Sequence, residues 1–167
     1  MEGLFQLRKR RGALLSVRNI AAWKNDEVVP ASSTLKATEK ICAQLIEWEQ
    51  ADECFLFPSG MNAVVTAMEL ARRRCQSKQP KRFVAIGLLY TDTYSLLMID
   101  KWRGGNSEPY FLNTDELAQL EEVLKDESVA GIVTESITNP LGELPDISRI
   151  QETAKRFEIP VIVDNTL

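Results

Sequence analysis

The stretch Ile159-Pro-Val-Ile-Val-Asp-Asn-Thr-Leu167 decides the fold of this chain. It is a short run of β-branched apolar residues introduced by Pro160, which is typical of a buried parallel strand. The run ends in an acidic residue, Asp164, and two small polar residues follow it. In open α/β sheets, ligands bind beyond the carboxyl ends of the strands. The stretch therefore predicts that Asp164 lies at a ligand site.

Upstream of this stretch, apolar runs alternate with segments of helical spacing. The apolar runs predict strands at 54–57, 83–90, 109–112 and 129–135. The helical spacing predicts helices at 35–48, 61–74 and about 96–102. A fourth helix is expected to begin at Asn113, with Glu116 completing a capping box, and a fifth to be capped by Asp146 or Ser148. Such alternation means β-α-β units, so the fold class is α/β, with a mostly parallel sheet and flanking helices.

Composition narrows the function classes. The hydrophobic content of 44% and the charged content of 26% are those of an ordinary soluble globular protein. A net charge of −4 gives no reason to expect a nucleic-acid partner, and no apolar run is long enough for a membrane span. The chain has no histidine, which excludes Ser-His and Cys-His nucleophile pairs and the common zinc sites that contain histidine. We therefore expect any chemistry to depend on a cofactor.

The first 24 residues differ from the rest because they are rich in arginine and contain a single acid, Glu2. That composition is typical of an organelle targeting segment. A solvated basic helix or an arm that contacts another subunit is the favoured alternative, so we expect a cytoplasmic protein, with an organelle as the alternative location. We predict a basic arm and connector at 1–34 and the folded domain at 35–167.

Besides Asp164, polar groups follow three other apolar runs. Ser59-Gly60-Met61 opens a predicted helix, where free N–H groups and the helix dipole favour an anion such as a phosphate; a plain helix cap is the alternative. Tyr90 can stack on a planar ring, or its side chain can be buried with a satisfied hydroxyl. Asn139 lies in a polar cluster at 134–140 that can bind a ligand or only satisfy its own loop.

Seen together, these groups resemble one enzyme family. The elements Ser59-Gly60-Met61, Tyr90 with Thr93-Tyr94, Glu135-Ser-Ile-Thr-Asn-Pro140 and Val163-Asp-Asn-Thr166 are similar to those of the cysteine/methionine-metabolism group of pyridoxal-phosphate (PLP) enzymes. That group includes cystathionine γ-synthase, the cystathionine lyases and methionine γ-lyase. The resemblance covers roughly residues 35–167 and implies part of the PLP-binding large domain of a fold type I enzyme. A nucleotide-binding Rossmann domain is disfavoured because no G-x-G-x-x-G lies between a strand and a helix.

The resemblance also implies roles for individual residues around the cofactor. The backbone of Gly60 and Met61 is expected to bind the phosphate, with the side chain of Ser59 near it. Tyr90 is expected to stack on the pyridine ring, and Asp164 to pair with the ring nitrogen. Asn139 is expected to lie near the phenolic oxygen of the ring, and Thr166 close to the ring. Glu135 is treated as a structural neighbour, and no metal is expected.

The sequence also departs from the family pattern. None of its lysines lies in the motif of the Schiff-base lysine, which family members carry after the V-D-N-T element. The Tyr-x-Arg pair that reaches a neighbouring subunit has no match at 27–33. We therefore expect the N-terminal part of a transsulfuration enzyme, inactive by itself and truncated before that lysine and the C-terminal domain. In the intact family, a homo-oligomer would replace or eliminate a β or γ substituent of a homoserine ester, cystathionine or cysteine.

A truncated, non-catalytic relative that acts as a binding or interaction module, or the product of a broken gene, is the alternative. Half of a parallel sheet would leave an unpaired strand that invites another chain.

Overall fold

The computed structural model describes residues 55, 57–99 and 108–166. The chain divides into two compact units between Ala63 and Val64. The predicted basic arm, the boundary at 34 and 35, and the helix at 35–48 lie outside the described residues and stay predictions.

Helices and strands alternate along the described residues, as the sequence predicts. In chain order they are α1 (Gly60–Arg74), β1 (Arg82–Ile86), α2 (Thr91–Met98), β2 (Tyr110–Leu112), α3 (Leu120–Val123), β3 (Val129–Glu135), α4 (Ile147–Arg156) and β4 (Val161–Asp164). Asp146 caps α4, since its carboxylate accepts the N–H of Arg149 at 3.0 Å.

The strands form one parallel sheet with the order β2-β1-β3-β4. This confirms the predicted α/β class with a parallel sheet. Strand β3 lies between β1 and β4, and all seven of its residues are buried, as a nearly continuous apolar run in a parallel sheet predicts. Near the carboxyl ends of the strands, Ile86 pairs with Thr134, and Glu135 pairs with Asp164.

Helices cover both faces of the sheet. On one face, Val84, Ile86 and Ile132 pack with residues of α3 and α4, among them Leu120 and Ile150. On the other face, α1 lies close to β3 at a glycine. A Cβ on Gly131 would lie 3.1 Å from Phe83 Cε1 and 3.3 Å from Ala71 Cβ, so the absence of a side chain lets α1 approach.

Strand β4 is less buried than its apolar sequence predicts. Three of its residues are half-buried, and Val163 is 37% exposed. The physical reason is its position, because among the described residues β4 pairs only with β3. The prediction of a parallel strand at this position is right, and the prediction of full burial is wrong.

Two predicted strands differ from the structure. The strand predicted at 83–90 ends at Ile86, because Gly87 adopts a left-handed φ of 73° and turns the chain away from the sheet. In the strand predicted at 54–57, the described residues Phe55 and Phe57 lie outside any strand and are 75% and 38% exposed. An apolar run does not by itself supply the neighbour that a strand needs.

Two predicted helix starts are also wrong. Helix α2 begins at Thr91 rather than near residue 96, because its first turn buries polar residues that give no apolar stripe. Helix α3 begins at Leu120 rather than after Asn113, and turns with hydrogen bonds between residues i and i+3 fill the interval. Half of the capping box does form, since the Glu116 carboxylate accepts the N–H of Asn113 at 2.7 Å.

Candidate functional site

The candidate site lies where β1, β3 and β4 end. We call this the carboxyl end of the sheet and define it by Tyr90, Glu135, Asn139 and Asp164. Tyr90 follows β1, Asn139 follows β3, and Asp164 is the last residue of β4. Glu135 and Asp164 are register partners in neighbouring parallel strands, so their side chains share one face of the sheet.

Glu135 connects the other residues of this end. Its carboxylate accepts the backbone N–H of Tyr90 through a short hydrogen bond. The backbone N–H of Asn139 also interacts with this carboxylate and helps to lower its pKa. Only 7% of Glu135 is exposed. Burial raises the pKa of its carboxyl above the usual value, the charge of Asp164 adds to the rise, and the two N–H groups oppose it.

Tyr90 presents a half-exposed ring. Its backbone is the N-cap of α2, its carbonyl accepts the N–H of Tyr94 at 2.9 Å, and the residue is 50% exposed. A buried tyrosine with a satisfied hydroxyl was the structural alternative, and the exposure contradicts it. Two residues in the first turn of α2, Asp92 and Thr93, are 3% and 2% exposed, so they belong to the packing of α2 rather than to an open binding surface.

Asp164 is held in place by the residues that follow it. Its Oδ1 accepts the backbone N–H of Thr166 at 3.2 Å and also the hydroxyl of Thr166, while its carbonyl accepts the N–H of Ser136 at 2.9 Å. The Asp-Asn-Thr sequence thus closes a local turn of the kind that aspartate favours. Thr166 itself is exposed and acts through Asp164.

The two carboxylates of this end have no cationic neighbour among the residues that the structure describes. None of the ion pairs found there involves Glu135 or Asp164. Two like charges side by side disfavour each other, and a cation placed against them would relieve the repulsion. A protonated ring nitrogen is a group of that kind, so the arrangement fits a pyridinium beside Asp164.

Asn139 is exposed on a loop that is built around a buried threonine. Thr138 is 1% exposed; its N–H donates to the Glu143 carbonyl at 2.9 Å, and its hydroxyl oxygen accepts the Glu143 N–H at 3.0 Å. The loop turns at Gly142, where φ is 67°. The buried threonine fixes the loop, and Asn139 remains accessible to a ligand.

Ser59, Gly60 and Met61 lie at the start of α1, in the unit that ends at Ala63. The Ser59 hydroxyl oxygen accepts the N–H of Asn62 at 3.1 Å, so Ser59 does cap the helix, which was the alternative that the sequence left open. A Cβ on Gly60 would meet nothing within 4 Å, which leaves its surroundings open. A helix start with no acidic residue in its first turn favours an anion, and the phosphate role stays a prediction.

The structure thus brings together Tyr90, Asn139, Asp164 and Thr166, and it adds Glu135. The sequence treated Glu135 only as a structural neighbour. The available signal was an ionisable residue at the end of a mostly apolar strand, because a buried carboxyl needs partners. No helix of the described ranges is long and apolar enough to cross a membrane. Within those ranges no group of three acidic or cysteine ligands could hold a metal ion.

Comparison with known families gives one clear match. The model of the family "Cys/Met metabolism PLP-dependent enzyme" matches residues 32–167. This span contains every residue of the carboxyl end and the start of α1.

The curated relatives that the chain matches include enzymes named as cystathionine gamma-synthase and homocysteine synthase. The chain is 30% identical over 118 residues to cystathionine gamma-synthase of Haemophilus influenzae, covering 71% of this chain and 30% of that protein. It is 34% identical over 108 residues to homocysteine synthase of Schizosaccharomyces pombe, covering 65% of this chain and 24% of that protein. The chain therefore spans less than a third of the length of these relatives.

Solved structures resemble the fold of this chain over a similar share of its length. O-acetylhomoserine sulfhydrylase of Wolinella succinogenes matches 62% of this chain with a TM-score of 0.50 and 22% identity, over 29% of its own chain. A Campylobacter jejuni protein named as an O-acetylhomoserine (thiol)-lyase matches 62% of this chain with a TM-score of 0.50 and 27% identity, over 25% of its own chain. The latter contains N'-pyridoxyl-lysine-5'-monophosphate.

Proposed function

We propose that the carboxyl end of the sheet binds pyridoxal 5'-phosphate as part of a transsulfuration enzyme, because the chain belongs to the Cys/Met metabolism PLP-dependent enzyme family. The observation that carries the proposal is the Asp164 carboxylate, fixed by Thr166 beside Glu135 and without a cation among the described residues. Asp164 would accept the N–H of the protonated ring nitrogen. That ionic hydrogen bond would favour the charged state of both partners.

The remaining residues have the chemistry to complete the seat. The half-exposed ring of Tyr90 would stack on the pyridine, Asn139 would lie near the phenolic oxygen, and Thr166 would hold the Asp164 carboxylate in place. Ser59, Gly60 and Met61 at the start of α1 would bind the phosphate. When bound, PLP supplies an electron sink for a carbanion of an amino-acid substrate.

We propose for the whole enzyme a small amino-acid substrate: a homoserine ester, cystathionine or cysteine. The names of the relatives support this class, because they include cystathionine gamma-synthase and homocysteine synthase. The reaction would replace or eliminate the β or γ substituent of that amino acid, in a homo-oligomeric and cytoplasmic protein, with an organelle as the alternative location.

The cofactor proposal is tested by PLP binding to the 167-residue polypeptide, followed by the absorbance of PLP during titration. Asp164→Asn removes the charge and should weaken binding about tenfold to hundredfold, since a hydrogen bond to a charged group is worth about 1.5–3 kcal/mol. Asp115→Asn removes an exposed aspartate from the turn before α3 and should leave binding unchanged. Equal binding by the wild type and by Asp164→Asn would overturn the proposal.

Turnover is a separate question. We expect no cystathionine from this polypeptide with an O-substituted homoserine and cysteine, since none of its lysines lies in the family's Schiff-base motif. Steady formation of cystathionine by the 167-residue chain would contradict that expectation.

A second candidate function, a non-catalytic interaction module, rests on β4. Among the described residues this strand pairs on one side only, and unpaired strands recruit other chains. Analytical ultracentrifugation distinguishes the candidates, because a compact monomer that binds PLP would count against the interaction module.

A further inference from the structure

Glu135 is not one of the proposed cofactor contacts, and yet its carboxylate lies against the backbone of two residues that are. Its carboxylate accepts the backbone N–H of Tyr90 in a hydrogen bond, and the backbone N–H of Asn139 interacts with the same carboxylate and opposes the rise of its pKa. Tyr90 is 45 residues away along the chain, so the contact joins the segment after β1 to the segment after β3. The Glu135 side chain therefore connects the two loops that carry the predicted ring contacts, and we call this connection the tie.

The position of Glu135 makes this tie rigid. The residue completes β3, a strand paired on both sides, and it is 7% exposed. Its register partner is Asp164, so the same backbone position also sets the distance between the tie and the Asp164 carboxylate. A buried carboxylate is costly unless it is hydrogen-bonded, which gives both N–H contacts a strong reason to persist.

We propose that Glu135 is a positioning residue that fixes Tyr90 and Asn139 relative to Asp164. This inference rests on the proposed cofactor function for its consequence, while the tie itself can be measured without the cofactor. Glu135 acts through the backbone of its partners and touches neither substrate nor cofactor.

The chemistry of the side chain predicts which replacements break the tie. A carboxylate offers two accepting oxygens, one for each N–H group. Glutamine keeps the length and offers one accepting oxygen, and its NH₂ group would face an N–H donor. Aspartate keeps both oxygens on a side chain that is one methylene shorter. We therefore expect Glu135→Gln to lose at least one contact and Glu135→Asp to preserve part of the tie.

The first measurement is amide NMR of the 167-residue chain without PLP. In the wild type, the amide protons of Tyr90 and Asn139 should titrate together with Glu135, and the same titration should persist in Asp164→Asn, which removes the neighbouring titratable group on β4. In Glu135→Gln both amides should lose this titration. The matched control is Glu116→Gln, which removes another carboxylate that accepts a backbone N–H, that of Asn113, and it should leave Tyr90 and Asn139 unchanged.

The second measurement is PLP affinity. Glu135→Gln should bind PLP about tenfold more weakly, the effect of losing one charge-assisted hydrogen bond, while Glu135→Asp recovers part of the loss and Glu116→Gln binds as the wild type does. A purely structural role would not produce graded recovery by aspartate together with loss of the Tyr90 and Asn139 titrations.

The outcomes separate the two proposals. If the wild type shows the coupled titration and does not bind PLP, the cofactor proposal fails and the tie stands. If PLP binds and the two amides do not titrate with Glu135, the positioning role is overturned and the cofactor proposal stands. Should Glu135→Gln fail to fold, the wild-type titration and the Glu135→Asp variant still decide the matter.

Discussion

Asp126 before β3 and Glu135 at the end of the same strand both accept backbone N–H groups, but their neighbours differ. Asp126 accepts the Ser128 N–H at 2.9 Å and the Tyr110 hydroxyl at 2.8 Å, and Arg82 lies 3.9 Å from its Oδ2. We call this group the amino end of the sheet. Glu135 has no such cation among the described residues, and its neighbour is a second carboxylate, Asp164.

The contrast is visible in the ionisation of the two acids. Burial by itself raises the pKa of Asp126, but the hydrogen bonds from Ser128 and Tyr110 and the charge of Arg82 outweigh it and lower the pKa. For Glu135, burial and the charge of Asp164 together raise the pKa. The amino end therefore stabilises the ionised form of Asp126, whereas the carboxyl end disfavours the ionised form of Glu135, and such perturbed acids are typical of functional sites.

The largest effect is expected from Asp126→Ala at the amino end. The change leaves the Tyr110 hydroxyl, the Ser128 N–H and the Arg82 guanidinium without their acceptor, and we expect a loss of about 2 kcal/mol in the free energy of unfolding. Asp164→Ala at the carboxyl end should cost about 1 kcal/mol or less, because it removes a half-exposed carboxylate with a like-charged neighbour. Urea denaturation of both variants tests the comparison. Equal losses would show that the two ends do not differ in this way.

The next effect concerns how the carboxyl end is shaped. Gly87→Ala introduces a Cβ at a φ of 73°, and that atom would lie 3.0 Å from the methyl groups of both Thr114 and Thr138. Gly142→Ala is the matched control, since its φ is 67° but nothing lies within 4 Å of the added atom. We expect losses of about 2 kcal/mol for Gly87→Ala and about 1 kcal/mol for Gly142→Ala in denaturant unfolding. Equal losses would mean that the contacts with the two threonines relax without cost.

The sequence predicted some of these features and missed others for a physical reason. Strand β3 was predicted with its observed bounds because its apolar run is local and lies between two polar residues, Ser128 before it and Glu135 at its end. The end of β1 was missed because an apolar run does not show that Gly87 adopts a positive φ. The wrong start of α2 has a similar cause, since its first turn has no apolar stripe.

Within the candidate site, Tyr90, Asn139 and Asp164 were found through their family motifs and through their places at strand ends. The contact of Glu135 with Tyr90 was not found, because it spans 45 residues and depends on the register of the sheet. Residue patterns report local structure, whereas the partner of a buried acid is set by tertiary packing. The same limit applies to Asp126, whose hydroxyl partner Tyr110 lies on another strand.

A smaller effect is expected from pH, and it should have opposite signs at the two ends. The folded pKa of Asp126 lies below its usual value of 3.8, so its contribution is present above that value and is lost as the pH falls through the folded pKa. The folded pKa of Glu135 lies above its usual value of 4.5, so its contribution is present below 4.5 and is lost as the pH rises through the folded pKa.

Unfolding measured at pH 7 and at pH 3 separates these contributions. Relative to the wild type, Asp126→Asn should lose less stability on acidification, and Glu135→Gln should lose more, each by about 1 kcal/mol or less. If both variants changed the loss of stability between pH 7 and pH 3 in the same direction, the assigned difference between the two ends would be wrong.

The smallest effect is expected from Tyr110→Phe, which removes one hydroxyl from the amino end. That hydroxyl donates to Asp126 and accepts from Arg82 Nη1 at 3.3 Å, while the Arg82 guanidinium carbon lies 5.3 Å from the centre of the Tyr110 ring. The ring contact survives the change, so we expect a loss of only about 0.5–1 kcal/mol.

A double-mutant cycle with Asp126→Asn tells whether that hydroxyl acts through the acid. If it does, Tyr110→Phe should cost less in the Asp126→Asn background than in the wild type, because its charged acceptor has already gone. The hydrogen bond to Asp126 is the main cause of a raised pKa of Tyr110, so its contribution is present below pH 10.0 and is lost as the pH rises through the folded pKa. Additive costs would instead show that the Tyr110 hydroxyl does not act through Asp126. Asp126 would then be stabilised at the amino end by the Ser128 N–H and the Arg82 guanidinium without help from Tyr110.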